Sequence, residues 1–117
     1  MALEQLALKR IGDVVVAHVA GEVDLSNAES VTERLVDAVP NTASALVLDM
    51  SGTDYLDSSG VRMIFELAQR LRNRNQDLGL VVPEAANIRR VLILTEVERV
   101  VPMSTSIEAA AGEHQNR

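Results

Sequence analysis

Ala45-Leu46-Val47-Leu48-Asp49-Met50 is an unbroken apolar run of strand length, and a short way downstream Asp57-Ser58-Ser59-Gly60 opens a helix. A continuous run of this kind is the pattern of a strand covered on both faces. Ser51-Gly52-Thr53-Asp54 reads as a loop, leading through Tyr55-Leu56 to the helix. Val61, Ile64, Phe65, Ala68 and Leu71 then recur at helical spacing, and Arg70, Arg72 and Arg74 gather where that helix should end. A doubly covered strand feeding an amphipathic helix is the repeating unit of a parallel α/β sheet.

The flanks extend this pattern. Upstream, Ser26-Asn27-Ala28-Glu29 has the spacing of a capping box, followed by an apolar stripe at Ala28, Val31, Leu35 and Ala38 and a stop at Pro40-Asn41. Before it, residues 6–11 and the β-branched residues 14–23 flank Gly12-Asp13, the signature of an antiparallel hairpin. Downstream, Leu80-Val81-Val82 is a strand stopped at Pro83. Asn87 can cap a short helix carrying Ile88, Val91, Leu92 and Thr95. Val100-Val101 reads as a brief strand, and Ser106 opens a last helix closed by Gly112. The order β-β-α-β-α-β-α-β-α predicts a single α/β domain over residues 1–112. Its sheet is mixed but mostly parallel after the N-terminal hairpin and is packed with about four helices, with a disordered tail at 113–117.

Composition narrows the function. The 117 residues carry 11 Lys+Arg against 17 Asp+Glu, a formal charge of -6, which argues against nucleic-acid backbone binding. Without cysteine, disulfides, thiolate metal sites and Cys nucleophiles are excluded. His18 and His114 are far apart and match no metal-binding spacing, and His18, inside a strand, reads as structural or solvated. Tyr55 and Phe65 are the only aromatics, so base stacking is nearly unavailable and the core is aliphatic. No G-x-S-x-G elbow, G-x-G-x-x-G loop or Walker lysine occurs, and Lys9 is the single lysine, too early for an aspartate-phosphorylated receiver domain. The reading is a non-enzymatic, cytoplasmic domain with no cofactor or metal, no signal peptide and no membrane span, either a monomer or a weak homodimer through its hairpin edge.

In parallel α/β folds, sites form where strand C-termini feed helix N-termini. Two acidic segments qualify, Gly21-Glu22-Val23-Asp24-Leu25-Ser26 and Asp54-Tyr55-Leu56-Asp57-Ser58-Ser59-Gly60. The second offers three N-cap residues where a helix needs one, and then a glycine that leaves the hydroxyls uncovered to an approaching backbone. Two readings stand: a redundant cap, or a phosphoacceptor serine seated at a helix N-terminus.

Asp57-Ser58-Ser59-Gly60 resembles the phosphorylation motif of bacterial anti-sigma factor antagonists, members of the STAS (sulphate transporter and anti-sigma antagonist) family. Gly21-Glu22-Val23-Asp24, residues 45–51 and Arg90-Val91-Leu92-Ile93-Leu94-Thr95 resemble further family segments in the same order. The resemblance implies Ser58 as phosphoacceptor, with Ser59 the second choice. It implies a partner-binding patch of Asp24, Tyr55, Asp57, Ser58, Ser59, Val61, Arg62 and Met63. The implied partners are an anti-sigma factor with serine kinase activity and a metal-dependent serine phosphatase, in a partner switch that frees a sigma factor during transcription regulation or stress response. The alternative is an unphosphorylated structural STAS module, in a stress-signalling assembly or as a transporter-associated subunit. Two positions depart from the family pattern: Arg62 and Glu96 stand where glycine is usual. Arg62 lies at i+4 from Ser58, which suits a phosphate partner, a solvated arginine or an obstacle to a kinase.

Overall fold

A computed structural model describes residues 5–115, with side chains through residue 113. Its strands are β1 (Gln5–Ile11), β2 (Val14–Val23), β3 (Ala45–Asp49), β4 (Thr53–Leu56), β5 (Asp77–Val81) and β6 (Met103–Ser104). Its helices are α1 (Ala28–Ala38), α2 (Ser58–Arg72), α3 (Arg89–Leu94) and α4 (Ile107–Gln115), with a 3-10 turn at Val97–Arg99. β1 and β2 form the antiparallel hairpin, and Gly12 at φ 62 supplies its left-handed turn residue. β2, β3, β5 and β6 are then mutually parallel, giving the order β1-β2-β3-β5-β6.

Side-chain alternation divides this sheet between two cores. Val15, Ala17 and Val19 of β2 and Leu46 and Leu48 of β3 face α1 and α2, meeting Val31, Leu35, Ile64, Leu67 and Leu71. Val14, Val16, Ala45 and Val47 face the other way, where Ala110 and Ile107 of α4 cover them. Every residue of β3 is buried, so its run needs no polar alternation.

Several local expectations give way to tertiary context. Thr53 to Leu56 is a strand, not a loop, and pairs with the end of β2. The last strand is Met103–Ser104 rather than Val100-Val101, set by pairing with Leu80 and Val81. Asn27, not Ser26, is the N-cap of α1; Ser26 turns its hydroxyl to Asp24 instead, so no capping box forms. Ile88 precedes α3 without a side-chain cap from Asn87. Ser106 does cap α4, accepting from the Ala109 amide at 3.2 Å, but Gly112 lies inside that helix. Residues 113–115 of the expected tail are therefore helical, and 116–117 lie outside the described residues. Of the arginines near the end of α2, Arg70 pairs with Glu33 at 2.7 Å, and Arg74 donates to the Val39 carbonyl and Asn41.

Asp49 ends β3 at 7% exposure, on the α4 side of the sheet with His18. One carboxylate oxygen accepts from the Ser51 amide and hydroxyl, and the other lies 2.6 Å from His18 Nδ1, which must carry the proton. Burial alone raises the Asp49 pKa, but the Ser51 bonds and then His18 outweigh it and hold the group below the ordinary 3.8. A depressed folded pKa contributes stability that is present above the unfolded value and lost as pH falls through the folded one. We predict that urea midpoints of the native protein drop as pH falls below about 4, and that Asp49→Asn, already less stable at neutral pH, shows a flatter acid limb. Parallel acid limbs would contradict this.

Glu96 occupies a left-handed backbone conformation, φ 60, before the 3-10 turn. That conformation costs an L-residue with a Cβ about 1–2 kcal/mol, and the exposed pair with Arg99 returns little. Glu96→Gly should therefore stabilise the protein by about 0.5–1 kcal/mol in urea unfolding, after allowing for the greater unfolded-state freedom of glycine.

Candidate functional site

The site begins with β4. It runs parallel to the last residues of β2, pairing Gly21 with Thr53, Glu22 with Tyr55 and Val23 with Leu56 across an irregularity between Gly21 and Glu22. Gly21 bends the backbone at φ 93, its amide donates to the Gly52 carbonyl, and the Thr53 hydroxyl donates to the Val19 carbonyl at 2.6 Å. This pairing sets the start of α2 beside the β2–α1 loop, joining two segments that lie more than thirty residues apart in the chain.

Asp57 locks the junction. As the N-cap of α2, its Oδ1 accepts from the amides of Ser59 at 2.9 Å and Gly60 at 3.0 Å. Its Oδ2 accepts from the Leu25 amide at 3.1 Å. The facing loop is braced in turn, because Asp24 accepts from the Ser26 amide and Asn27 accepts from the Asp24 amide, both at 2.9 Å. The Asn27 amide group then donates to the Glu22 carbonyl at 2.8 Å. Each bond satisfies a turn or helix-terminal group that would otherwise need water.

Gly60 has a different role from the one its position in the sequence suggests. It is buried, and a Cβ there would sit 2.4 Å from Leu56 Cδ1 and 2.9 Å from the Val23 carbonyl oxygen. The glycine lets α2 close onto β2 and β4; it does not make room for an incoming molecule. At the helix end expected to seat a phosphate, Asp57 takes the Ser59 and Gly60 amides, and the Ser58 amide makes no hydrogen bond among the described residues.

The candidate residues separate by burial. Ser58 is exposed at the first position of α2, and neither its hydroxyl nor that of Ser59 is hydrogen-bonded among the described residues. Tyr55 is 51% exposed, Asp24 and Asp57 are half-buried, and Arg62 is exposed one turn beyond Ser58. Val61 and Met63, expected on the patch, are 6% and 3% exposed and belong to the core, because the helix turns them toward the sheet and α1. Sequence reasoning missed Leu25, which is 81% exposed between Asp24 and Ser26. The available signal was an apolar residue in a polar loop, off any helical stripe. Leu25, Glu29, Ser59, Arg62 and Glu66 surround an open groove between α1 and α2, with Met63 at its edge. Hydroxyls, carboxylates and one large apolar side chain thus share one rim.

Among the described residues no group of three or more His, Asp or Glu could hold a metal, and no helix is long and apolar enough to cross a membrane. His18 is held by Asp49 on the α4 side and takes no part in this rim.

With this geometry in hand, the chain can be placed: residues 5–110 match the STAS domain model, and the protein belongs to that family. It is 29% identical over 107 residues to BtrV of Bordetella bronchiseptica, which is named, provisionally, as an anti-sigma factor antagonist; the match covers 92% of this chain and 91% of BtrV. An anti-sigma factor antagonist from Mycobacterium paratuberculosis superposes with a TM-score of 0.84 at 23% identity, covering 97% of this chain and 95% of that one. The antagonist SpoIIAA in its unphosphorylated form superposes at 0.76 with 17% identity, covering 97% and 98%. These two structures share the fold.

The bonding pattern separates neighbouring side chains by their effect on stability. Asp57→Ala should cost about 1–2 kcal/mol and speed amide exchange at Leu25, Ser59 and Gly60 together. Ser58→Ala should stay within about 0.5 kcal/mol of the native protein, since its hydroxyl holds nothing. Urea unfolding and hydrogen exchange measure both.

Proposed function

We propose that this protein is an anti-sigma factor antagonist whose association with its anti-sigma factor is switched by phosphorylation of Ser58. The observation that carries the reading is that Asp57 performs the capping while the Ser58 hydroxyl, beside it, stays exposed and unbonded among the described residues. Because Asp57 alone supplies the cap, the Ser58 hydroxyl is left available for modification, which supports the phosphoacceptor reading. The names of relatives, BtrV among them, support the partner class.

The partner in this reading is an anti-sigma factor with serine kinase activity. It transfers the γ-phosphoryl group of ATP to Ser58 Oγ: the Oγ–P bond forms, the bond to ADP breaks, and the hydroxyl proton is lost to a base. A metal-dependent serine phosphatase reverses the modification by hydrolysis. Asp24, Tyr55, Leu25 and Arg62 would form the remainder of the docking rim in this reading, with Ser59 the second-choice acceptor.

Energetics favour a switch of the interface over a switch of the fold. Phosphorylation adds about -1.5 to -2 charges to a group that makes no internal contact that could be broken. Against an acidic group of the partner about 5 Å away, at an effective dielectric near 20, each unit is repelled by roughly 3 kcal/mol. A few kcal/mol is about a hundredfold in affinity. The unmodified antagonist thus binds the anti-sigma factor and frees the sigma factor, and the phosphorylated form lets go.

The test is calorimetric titration of the kinase-like anti-sigma factor recovered with the unmodified protein. Ser58→Ala should bind within about threefold of the native chain, and the phosphorylated protein about a hundredfold more weakly. Equal affinity of the native and phosphorylated forms would overturn the switch. Failure to gain one phosphate, by intact mass, from any such kinase would favour the structural STAS module.

A further inference from the structure

We propose that Arg62 is an internal counter-ion for phosphorylated Ser58, a latch that holds the modified side chain against α2 and slows its hydrolysis. The inference rests on the reading of Ser58 as the acceptor and specifies how that same site is regulated.

Three observations carry it. First, two of the helix-end amides that could bind a phosphate here are already engaged: Asp57 occupies those of Ser59 and Gly60, leaving the Ser58 amide. Second, the surroundings are acidic, with the Asp57 carboxylate adjacent in the chain and Asp24 in the loop tied to it through Leu25. A dianion on Ser58 therefore enters a field of like charge, with two of its helix-end donors in use. Third, Arg62 stands one turn along the same helix, exposed, and among the described residues it has neither a hydrogen bond nor an ion pair. Of the carboxylates lining its groove, Glu33 and Glu66 pair with Arg70 at 2.7 and 3.9 Å, and Glu29 of α1 makes no ion pair with Arg62.

Residues four apart on a helix face one another at about 5–6 Å between Cβ atoms, within span of an arginine and a phosphoserine. The guanidinium fork can engage two phosphate oxygens at once, which a lysine cannot do. In the unmodified state Arg62 has no anion at Ser58 to bind and remains open to solvent. The same charge that repels the partner thus creates the ion pair that preserves it. No bond other than the ion pair forms or breaks when the latch closes.

The experiment needs no kinase, because phosphoserine is installed at position 58 of the full chain during translation. Phosphorus NMR then follows the second ionisation of the phosphate, ordinarily near pH 6. Arg62→Gln should raise that pKa by about 0.2–0.4 unit at low salt, the scale of an exposed i,i+4 pair. Arg62→Lys should retain part of the native value, and Arg72→Gln, which removes the same charge at the far end of α2, should leave it unchanged. In 1 M salt the difference should collapse. Hydrolysis by a manganese-dependent serine phosphatase should run about twofold or more faster for Arg62→Gln than for the native chain. Circular dichroism verifies that each variant is folded. An identical phosphate pKa in the native and Arg62→Gln proteins, or an equal shift in Arg72→Gln, overturns the latch. A phosphorylated chain that still bound its anti-sigma factor would defeat the proposed switch and leave the latch standing.

Discussion

A single carboxylate spans the two segments on which the site is built. Asp57 gives one oxygen to the first amides of α2 and the other to the backbone of the β2–α1 loop. Charge-assisted bonds of this kind contribute about 1.5–3 kcal/mol, more than neutral ones. The bonds go to backbone amides rather than to neighbouring side chains, so the hydroxyls beside Asp57 remain uncommitted. The junction is stiff in its main chain and open in its chemistry.

The sheet supplies the rigidity behind that junction. With almost no aromatic residues, the core relies on branched aliphatics packed from both faces of β3. The two polar clusters at strand ends serve different purposes. Asp49 spends both oxygens on Ser51 and His18, which satisfies a nearly buried charge and leaves it little to offer a partner. Asp57 satisfies itself on amides and leaves exposed hydroxyl, carboxylate and apolar groups around it. The contrast separates the rim at α2, whose exposed groups stay uncommitted, from the self-satisfied cluster at Asp49.

The electrostatic character of the rim follows from which charges are already paired. Arg70 draws Glu33 and Glu66 together across α1 and α2, and Glu29, Ser59 and Arg62 line the same groove without an ion pair among the described residues. Where such a surface gains a phosphate, the change acts mainly on what can approach it, since no internal contact depends on the Ser58 hydroxyl.

Periodicity and turn chemistry were enough to read the α/β class, the hairpin, the apolar stripes of α1 and α2 and the segment holding Ser58, because these depend on local spacing and on one-dimensional burial patterns. The strand β4 was not legible: its two middle residues are exposed and its partner lies thirty residues away. Nor was the cap of α1, where the Ser26 hydroxyl could accept from a helix amide or donate to Asp24 and the fold favoured Asp24. The burial of Met63 and the tight closure at Gly60 likewise depend on what stands opposite, and a sequence does not list its opposite neighbours. The chain alone determined the order of the elements and the segment that carries the hydroxyls, since residue type and spacing are local properties. Only the tertiary structure decided which of those groups are spent and which stay free, because hydrogen bonds and ion pairs between distant segments are settled by packing.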